Sequence, residues 1–427
     1  MPKGADRGIL LFFFILFLSI PALTQIRVAS PYSRFGIGDL NELNNAWNFS
    51  LGEISFGLRN PSHINYGNPA SYTAFDSISF VFEGGVVASS VQLKSTLEKE
   101  NRNYASVGYL LFGFPVFKWW RTCIGMTPYS DVGYNVANIQ EMEGIGTVWR
   151  IYSGEGGVNR FFWGNAFRII KNLSIGVNAS YMFGTMNRQA VALFPDSNYF
   201  ANIKIDNYIS INDIYLNYGI QYHARLKNDL HFTVGVVFAP ETKLSAKTDL
   251  LARTFFLGSA GIEYYRDTLA TASGYKGKIV IPTYFGGGFS FEKTDKWLVG
   301  ADFKWQNWEK FTAFGLSDSL VNSYQVGVAG EIVPNINSYA NYLKRVRYRL
   351  GFYYSSTYLH LRRQTLAEYA VTLGFGLPLK GSKTALNLGA QVGSRGTTEA
   401  GLIRETFFKF TIGFNVNERW FVKRKYN

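Results

Sequence analysis

After residue 20 the chain has no long hydrophobic run, so no further segment reads as a spanning helix. Cysteine is almost absent. Cys123 stands alone, so no internal disulfide can form, and a thiol inside an apolar strand is a packing residue. Histidine is scarce: His63, His223, His231 and His360 are scattered, and no HExxH, GxSxG or phosphate loop accompanies them. No nucleophile, base and orienting group can be named together, so the sequence predicts a non-enzyme with no catalytic residue, metal or cofactor. Acidic residues are outnumbered, 30 against 43 basic, giving a net charge of +13. A basic balance can signal nucleic acid, but the charges are dispersed, apart from Lys344-Arg345-Val346-Arg347 and Lys423-Arg424-Lys425. With no base-reading motif, outer-membrane lipid and lipopolysaccharide are the expected counter-charges, and nucleic acid is not an expected partner.

Aromatic residues and glycine are abundant instead. The chain has 36 Phe, 27 Tyr, 9 Trp and 43 Gly, and 47% of residues are hydrophobic. Mean hydropathy is nevertheless only −0.03. Apolar residues must therefore be interleaved with polar ones. Phe408, Phe410, Ile412, Phe414 and Val416 alternate with Lys409, Thr411, Gly413, Asn415 and Asn417. Strand side chains alternate faces, so this stretch has one oily and one wet side. About ten such residues cross a bilayer as a tilted strand. The pattern recurs, as in Leu173/Ile175/Val177/Ala179/Tyr181/Phe183 and Val371/Leu373/Phe375/Leu377/Leu379.

The predicted fold is all-β: a transmembrane antiparallel barrel of about 14 strands, with an N-terminal plug in the lumen. The strands fall near 77–93, 104–119, 120–142, 157–170, 172–193, 199–226, 230–250, 275–291, 296–315, 319–333, 346–362, 366–379, 384–395 and 403–417. An even count returns both barrel ends to the periplasm. The faces opposite the oily ones carry glycines and the charges Glu83, Asp302, Lys304, Glu331, Arg349, Glu368 and Lys409, which should line the lumen. Glycine there leaves room for a plug rather than a wide water-filled pore.

Residues 1–24 read as a secretory signal: Lys3 and Arg7, an apolar core from Ile9 to Ile20, and a small-residue exit before Gln25. Residues 25–76 do not alternate and are dense in Gly, Pro, Asn and Ser. Trp47, Phe49, Phe56, Tyr66 and Phe75 favour an ordered plug over a disordered lead-in. The barrel follows over 77–417, and 418–427 is a basic tail in which Trp420 and Phe421 are a candidate interfacial anchor. Export and barrel-type strands together imply the bacterial outer membrane.

Asn68-Pro69-Ala70 stands just before the first strand, with Phe75-Asp76 following. In that position it resembles the hatch motif of the long-chain fatty acid transporter (FadL-like) family, and the tail resembles a Bacteroidetes-type subgroup of it. The resemblance implies a 14-stranded barrel plugged by the hatch. It also implies an inward kink in the third strand that opens the wall sideways. Pro128, flanked by Gly125 and Gly133, falls on the third predicted strand, where proline cannot donate to a ladder. Two functions are expected. The first is passage of hydrophobic, fatty-acid-like small molecules through an apolar pocket by the plug and a lateral opening at Pro128. The alternative is a non-transporting barrel subunit of an outer-membrane protein assembly or secretion complex, with other envelope proteins as partners.

Overall fold

The computed structural model describes residues 28–42, 44–196, 200–258, 261–318, 320–379 and 383–419. The signal segment, Trp420 and Phe421 lie outside these residues. The chain forms a closed antiparallel barrel of 14 strands. They are β1 (Ser79–Lys94), β2 (Lys99–Pro115), β3 (Trp120–Met142), β4 (Gly146–Ile170), β5 (Leu173–Leu193) and β6 (Asn202–Arg225). Next come β7, in two pieces (Leu230–Ala239 and Thr242–Leu257), and β8, also in two (Glu263–Ile281 and Tyr284–Lys293). The last are β9 (Trp297–Gln306), β10 (Ser323–Ile332), β11 (Arg347–Leu361), β12 (Gln364–Pro378), β13 (Ala385–Arg395) and β14 (Arg404–Arg419). β14 pairs with β1 from Arg404↔Lys94 to Arg419↔Ser79, which closes the wall and removes its edges.

Alternation holds where the wall meets lipid. On β12, Val371, Leu373 and Phe375 are exposed, while Thr372, Gly374 and Gly376 are buried. Pro240 and Pro282 sit at the breaks in β7 and β8. The lower pieces of these two strands pair with one another, and so do the upper pieces. A residue with no N–H is thus expelled from the ladder at both places.

Three strands run well past the bounds that their sequence pattern predicted, β7 reaching Leu257 rather than 250, and β9 stops short, at Gln306 rather than 315, where the chain turns inward at Trp308. β4 starts at Gly146 rather than 157, and β8 at Glu263 rather than 275. In β8, the residues from Tyr264 to Lys276 are exposed whichever way they point. An extension with water on both faces needs no oily side, so period-two patterning disappears there.

The segment before β1 packs inside the barrel. α1 (Ala46–Phe49) is a single turn whose N-cap is Asn45, with Oδ1 accepting from Asn48 N at 3.0 Å. A 3-10 turn over Pro69–Ala74 begins with proline at its first position and is capped by Asn68. Trp47, Leu51, Ile54 and Leu58 form one buried cluster with Leu298 of β9.

Phe375→Arg should destabilise the folded barrel by about 2–4 kcal/mol if Phe375 lies at the bilayer midplane. Equilibrium unfolding in lipid vesicles measures this. Gly374→Arg should fail differently, because a Cβ there already comes 2.2 Å from Ser50 Cβ. Labelling of single cysteines from the lipid phase should pick 371, 373 and 375 and spare 372 and 374. The opposite pattern would reverse wall and lumen.

Candidate functional site

The inner segment has irregular backbone and cannot satisfy its own polar groups, so the wall does it. Asp302 on β9 accepts from Ser55 N at 2.5 Å and Phe56 N at 2.7 Å. Gln221 on β6 donates to Phe56 O and Leu58 O, both at 3.0 Å. Thr372 on β12 accepts from Gly52 N at 2.8 Å. Glu83 on β1 gathers Asn45 Nδ2 at 2.8 Å, His63 Nδ1 at 2.9 Å and Ile64 N at 3.1 Å. Contacts therefore radiate from the segment to strands all around the barrel.

Asn68-Pro69-Ala70 lies against three neighbouring strands. A Cβ on Gly176 (β5) would come 2.4 Å from Pro69 C, one on Gly219 (β6) 2.1 Å from Asn68 Oδ1, and one on Gly235 (β7) 1.8 Å from Phe56 O. Asn68 Nδ2 also donates to Phe56 O at 2.9 Å. The motif thus packs against β5–β7. Phe75 packs on Tyr72 with centroids 5.8 Å apart, and its carbonyl accepts from Arg121 Nε at 3.1 Å. Asp76 pairs with Lys383 at 2.6 Å.

Pro128 affects the two sides of β3 differently. Towards β4 the pairing continues, with Thr127↔Arg160, Pro128↔Asn159 and Ser130↔Val158, and Tyr129 is extruded as a bulge. Opposite it, Gly156 and Gly157 adopt positive φ (108° and 153°), and a Cβ on Gly157 would come 2.3 Å from Ser130 O. Towards β2 the pairing stops at Leu110↔Met126. Above that point β2 and β3 part, leaving a seam in the wall. The N-terminal segment takes up the freed edge of β3 through Asp39↔Asp131 and Leu40↔Ser130. Asn41 N donates to Tyr129 O and Ser30 N to Gly133 O, both at 2.9 Å. Gly125 faces inward, where a Cβ would come 2.6 Å from Leu111 and Phe162.

Behind the seam lies a chamber of about 230 Å³. Tyr104, Ser106 and Gly108 of β2 and Pro128 of β3 line its seam side. The pocket expected to be apolar has a mixed lining: Leu40, Phe49, Val87, Val91, Trp308 and Phe407 share it with the charges Glu42, Glu53, Glu368, Glu405, Lys304, Arg395 and Lys409. Lys304 pairs with Glu42. Glu368 accepts from Tyr353 OH at 2.6 Å. Lys409 Nζ lies 4.7 Å from the Phe407 ring centroid. Glu53, at φ 62°, is held by the amides of Gln325 and Gln391, both at 3.3 Å. Nearer the periplasmic end, Arg349 and Arg347 bind Glu331 at 2.7 and 2.9 Å, and Arg349 also donates to Asn387 at 2.8 Å.

Two clusters escaped sequence reading. Arg395 joins Asp39 (2.9 Å), Glu405 (2.6 Å) and Ser30 Oγ (2.8 Å), tying the N-terminal segment to β13 and β14. Arg160 lies between the rings of Tyr66 and Tyr129, at 5.8 and 5.5 Å. A lone arginine on an alternating strand gives no signal of a partner hundreds of residues away. Above the chamber, Trp308 and Phe311 fold inward and Trp308 packs on Tyr358 with centroids 4.7 Å apart.

Burial raises the Glu53 carboxyl to about 7 from an ordinary 4.5, with Glu42 adding to the effect and Lys409 opposing it. The folded state therefore binds the proton more tightly than the unfolded one. This contribution to stability is full below pH 4.5 and is lost as pH rises through about 7. Glu53→Gln should flatten that part of the unfolding-temperature profile. An unchanged slope in the variant would remove Glu53 as its source.

No curated protein matches the chain in sequence. Among solved structures it is similar to the Pseudomonas putida toluene transporter TodX (15% identity, 90% of this chain and 100% of that one, TM-score 0.57). It is similar also to the Ralstonia pickettii toluene transporter TbuX (14%, 89% and 99%, TM-score 0.58) and to a Pseudomonas aeruginosa FadL homologue (10%, 91% and 100%, TM-score 0.54). At these identities the likeness is one of fold, and with the closed barrel it makes the chain an outer-membrane protein. The BamG family profile matches residues 7–427, nearly the whole sequence, and the chain belongs to the BamG family.

Proposed function

We propose that this chain is a non-transporting barrel subunit of an outer-membrane protein assembly or secretion complex. The observation that carries the reading is the state of the lumen. The inner segment is hydrogen-bonded to side chains of β1, β6, β9 and β12, so a solute passing its level would have to break buried bonds to Asp302, Glu83 and Gln221. A hydrophobic solute gains only by moving into apolar surroundings, whereas the chamber would oblige it to desolvate charged side chains. Outside the lumen there is surface to offer a partner. The periplasmic turn 333–346 is braced by Asn335 N to Lys344 O at 2.7 Å, and it holds Tyr339 and Leu343 out in solvent. Purification of the tagged full chain from its own outer membrane tests the reading. Stable co-purification with a defined set of envelope proteins is expected. Recovery of the barrel alone, with a hydrophobic molecule identified in it by mass spectrometry, would sink it.

A second reading, passage of hydrophobic small molecules of fatty-acid type, is favoured by the seam. β2 and β3 separate beyond Leu110 and Met126, and the chamber reaches the wall there. TodX and TbuX, which share the fold, are toluene transporters. A disulfide engineered across the seam separates the two readings. If the chain is a complex subunit, the crosslinked protein keeps its partners and its cellular phenotype. If the seam is an exit, the same crosslink abolishes uptake of a labelled hydrophobic substrate while the barrel stays folded.

A further inference from the structure

The periplasmic mouth carries a cluster of guanidinium groups that are hydrogen-bonded only to neutral acceptors. Three guanidinium groups meet there on the lumen side of the wall. Arg168, exposed near the end of β4, donates to Thr73 O at 2.8 Å. Arg121, at the start of β3, donates to Phe75 O at 3.1 Å and Ser77 Oγ at 3.2 Å. Arg59, on the inner segment, donates to Gln221 Oε1 at 3.3 Å. Every one of these acceptors is neutral, and among the described residues none of the three arginines forms an ion pair. Thr73, Phe75 and Ser77 follow one another along the strip that leads into β1, so Arg168 and Arg121 flank the same short stretch of backbone. The stacked pair His223 and His231, with centroids 5.2 Å apart, borders the same mouth on β6 and β7. Of the nearby carboxylates, Asp76 forms its ion pair with Lys383 although it is near enough to act on Arg121, while Asp229 pairs with Arg225 and Glu83 with His63.

Burial lowers the pKa of Arg59 to about 10, and the like charges of Arg168 and Arg121 add to the fall. Such a cluster is destabilising alone and becomes favourable when a carboxylate arrives, because guanidinium groups bind carboxylates through paired, charge-assisted hydrogen bonds. We propose that this luminal mouth, formed by Arg59, Arg121 and Arg168, docks an acidic segment of a periplasmic polypeptide. The inference rests on the reading of the chain as a complex subunit and names the surface that one partner uses. A lipid headgroup fits the charge but not the place: Arg59 belongs to the inner segment and Arg121 grips that segment, so both lie inside the wall, whereas headgroups surround it.

The test uses the full chain in phosphatidylcholine nanodiscs and a fluorescent oligoglutamate peptide, read by anisotropy. Wild type should bind in a salt-sensitive way, and Arg59→Gln with Arg168→Gln should weaken binding about tenfold or more. Arg168→Lys should lose less than Arg168→Gln. Heat-modifiable gel mobility reports whether each barrel is folded; should the double variant misfold, Arg168→Gln alone, at an exposed position, carries the comparison. Equal affinity in wild type and variant, or no binding by wild type, overturns the proposal. So does competition by phosphatidylglycerol vesicles that exceeds binding of the peptide, since the site would then serve a headgroup. The same variants are purified from cells. If wild type and the double variant both keep their envelope partners, the docking site is wrong and the subunit reading stands. If wild type brings down no partner, the subunit reading itself fails.

Discussion

Irregular backbone inside a barrel must find its hydrogen-bond partners on the wall, and the rest of this structure follows from that constraint. A strand in the wall satisfies its neighbours by repetition. The inner segment repeats nothing, so each of its N–H and C=O groups needs an individual answer. Asp302 answers two N–H groups at Ser55 and Phe56, and Gln221 answers two carbonyls at Phe56 and Leu58. Where the segment comes too close for any side chain, the wall has glycine, as at Gly219 and Gly235. Charge and glycine on the inward faces are two responses to one packing problem.

The same logic explains the seam. Proline in a wall strand removes one donor, and the usual result would be a weakened ladder on that side. Here β3 keeps its pairing with β4 by extruding Tyr129, at the cost of positive-φ glycines opposite. On the other side β3 gives up β2 beyond Met126 and accepts Asp39 and Leu40 from the N-terminal segment. The segment is then anchored from behind by Arg395, whose partners Asp39, Ser30 and Glu405 join it to β13 and β14. The opening in the wall and the ordering of the N-terminal segment are therefore one feature, because the edge left bare by the first is covered by the second.

Much of the fold was legible because a barrel wall separates two environments that sort residues every second position. Phe408 to Val416 announces a strand and its lipid face with no tertiary information. A candidate inward set, Glu83, Asp302, Lys304, Glu331, Arg349, Glu368 and Lys409, was readable by the same alternation. What those charges bind was not. Asp302 meets Ser55 across 247 positions, and neither residue lies in a pattern that points to the other. The exposed extension of β8 was missed for the converse reason, since water on both sides leaves no pattern to read. Pro128 was legible as a disturbance, but its effect depended on which neighbouring strand could be replaced. Only the path of the N-terminal segment determines that.

The inward charges of this barrel are largely committed to one another and to the inner segment. In this protein Glu331 is shared between two arginines, Glu83 serves three donors and Asp302 is used by two backbone amides. Breaking any of these leaves a buried charge without a partner, which costs far more than an exposed pair would. The upper end is filled by Trp308, Phe311 and Tyr358 packed over the N-terminal segment. Guanidinium groups bonded only to neutral acceptors stand at the periplasmic mouth, in Arg59, Arg121 and Arg168, and exposed apolar side chains stand on the turn 333–346. The lumen thus spends much of its charge on holding the inner segment in place, and the groups held only by neutral acceptors or left in solvent gather at the periplasmic rim.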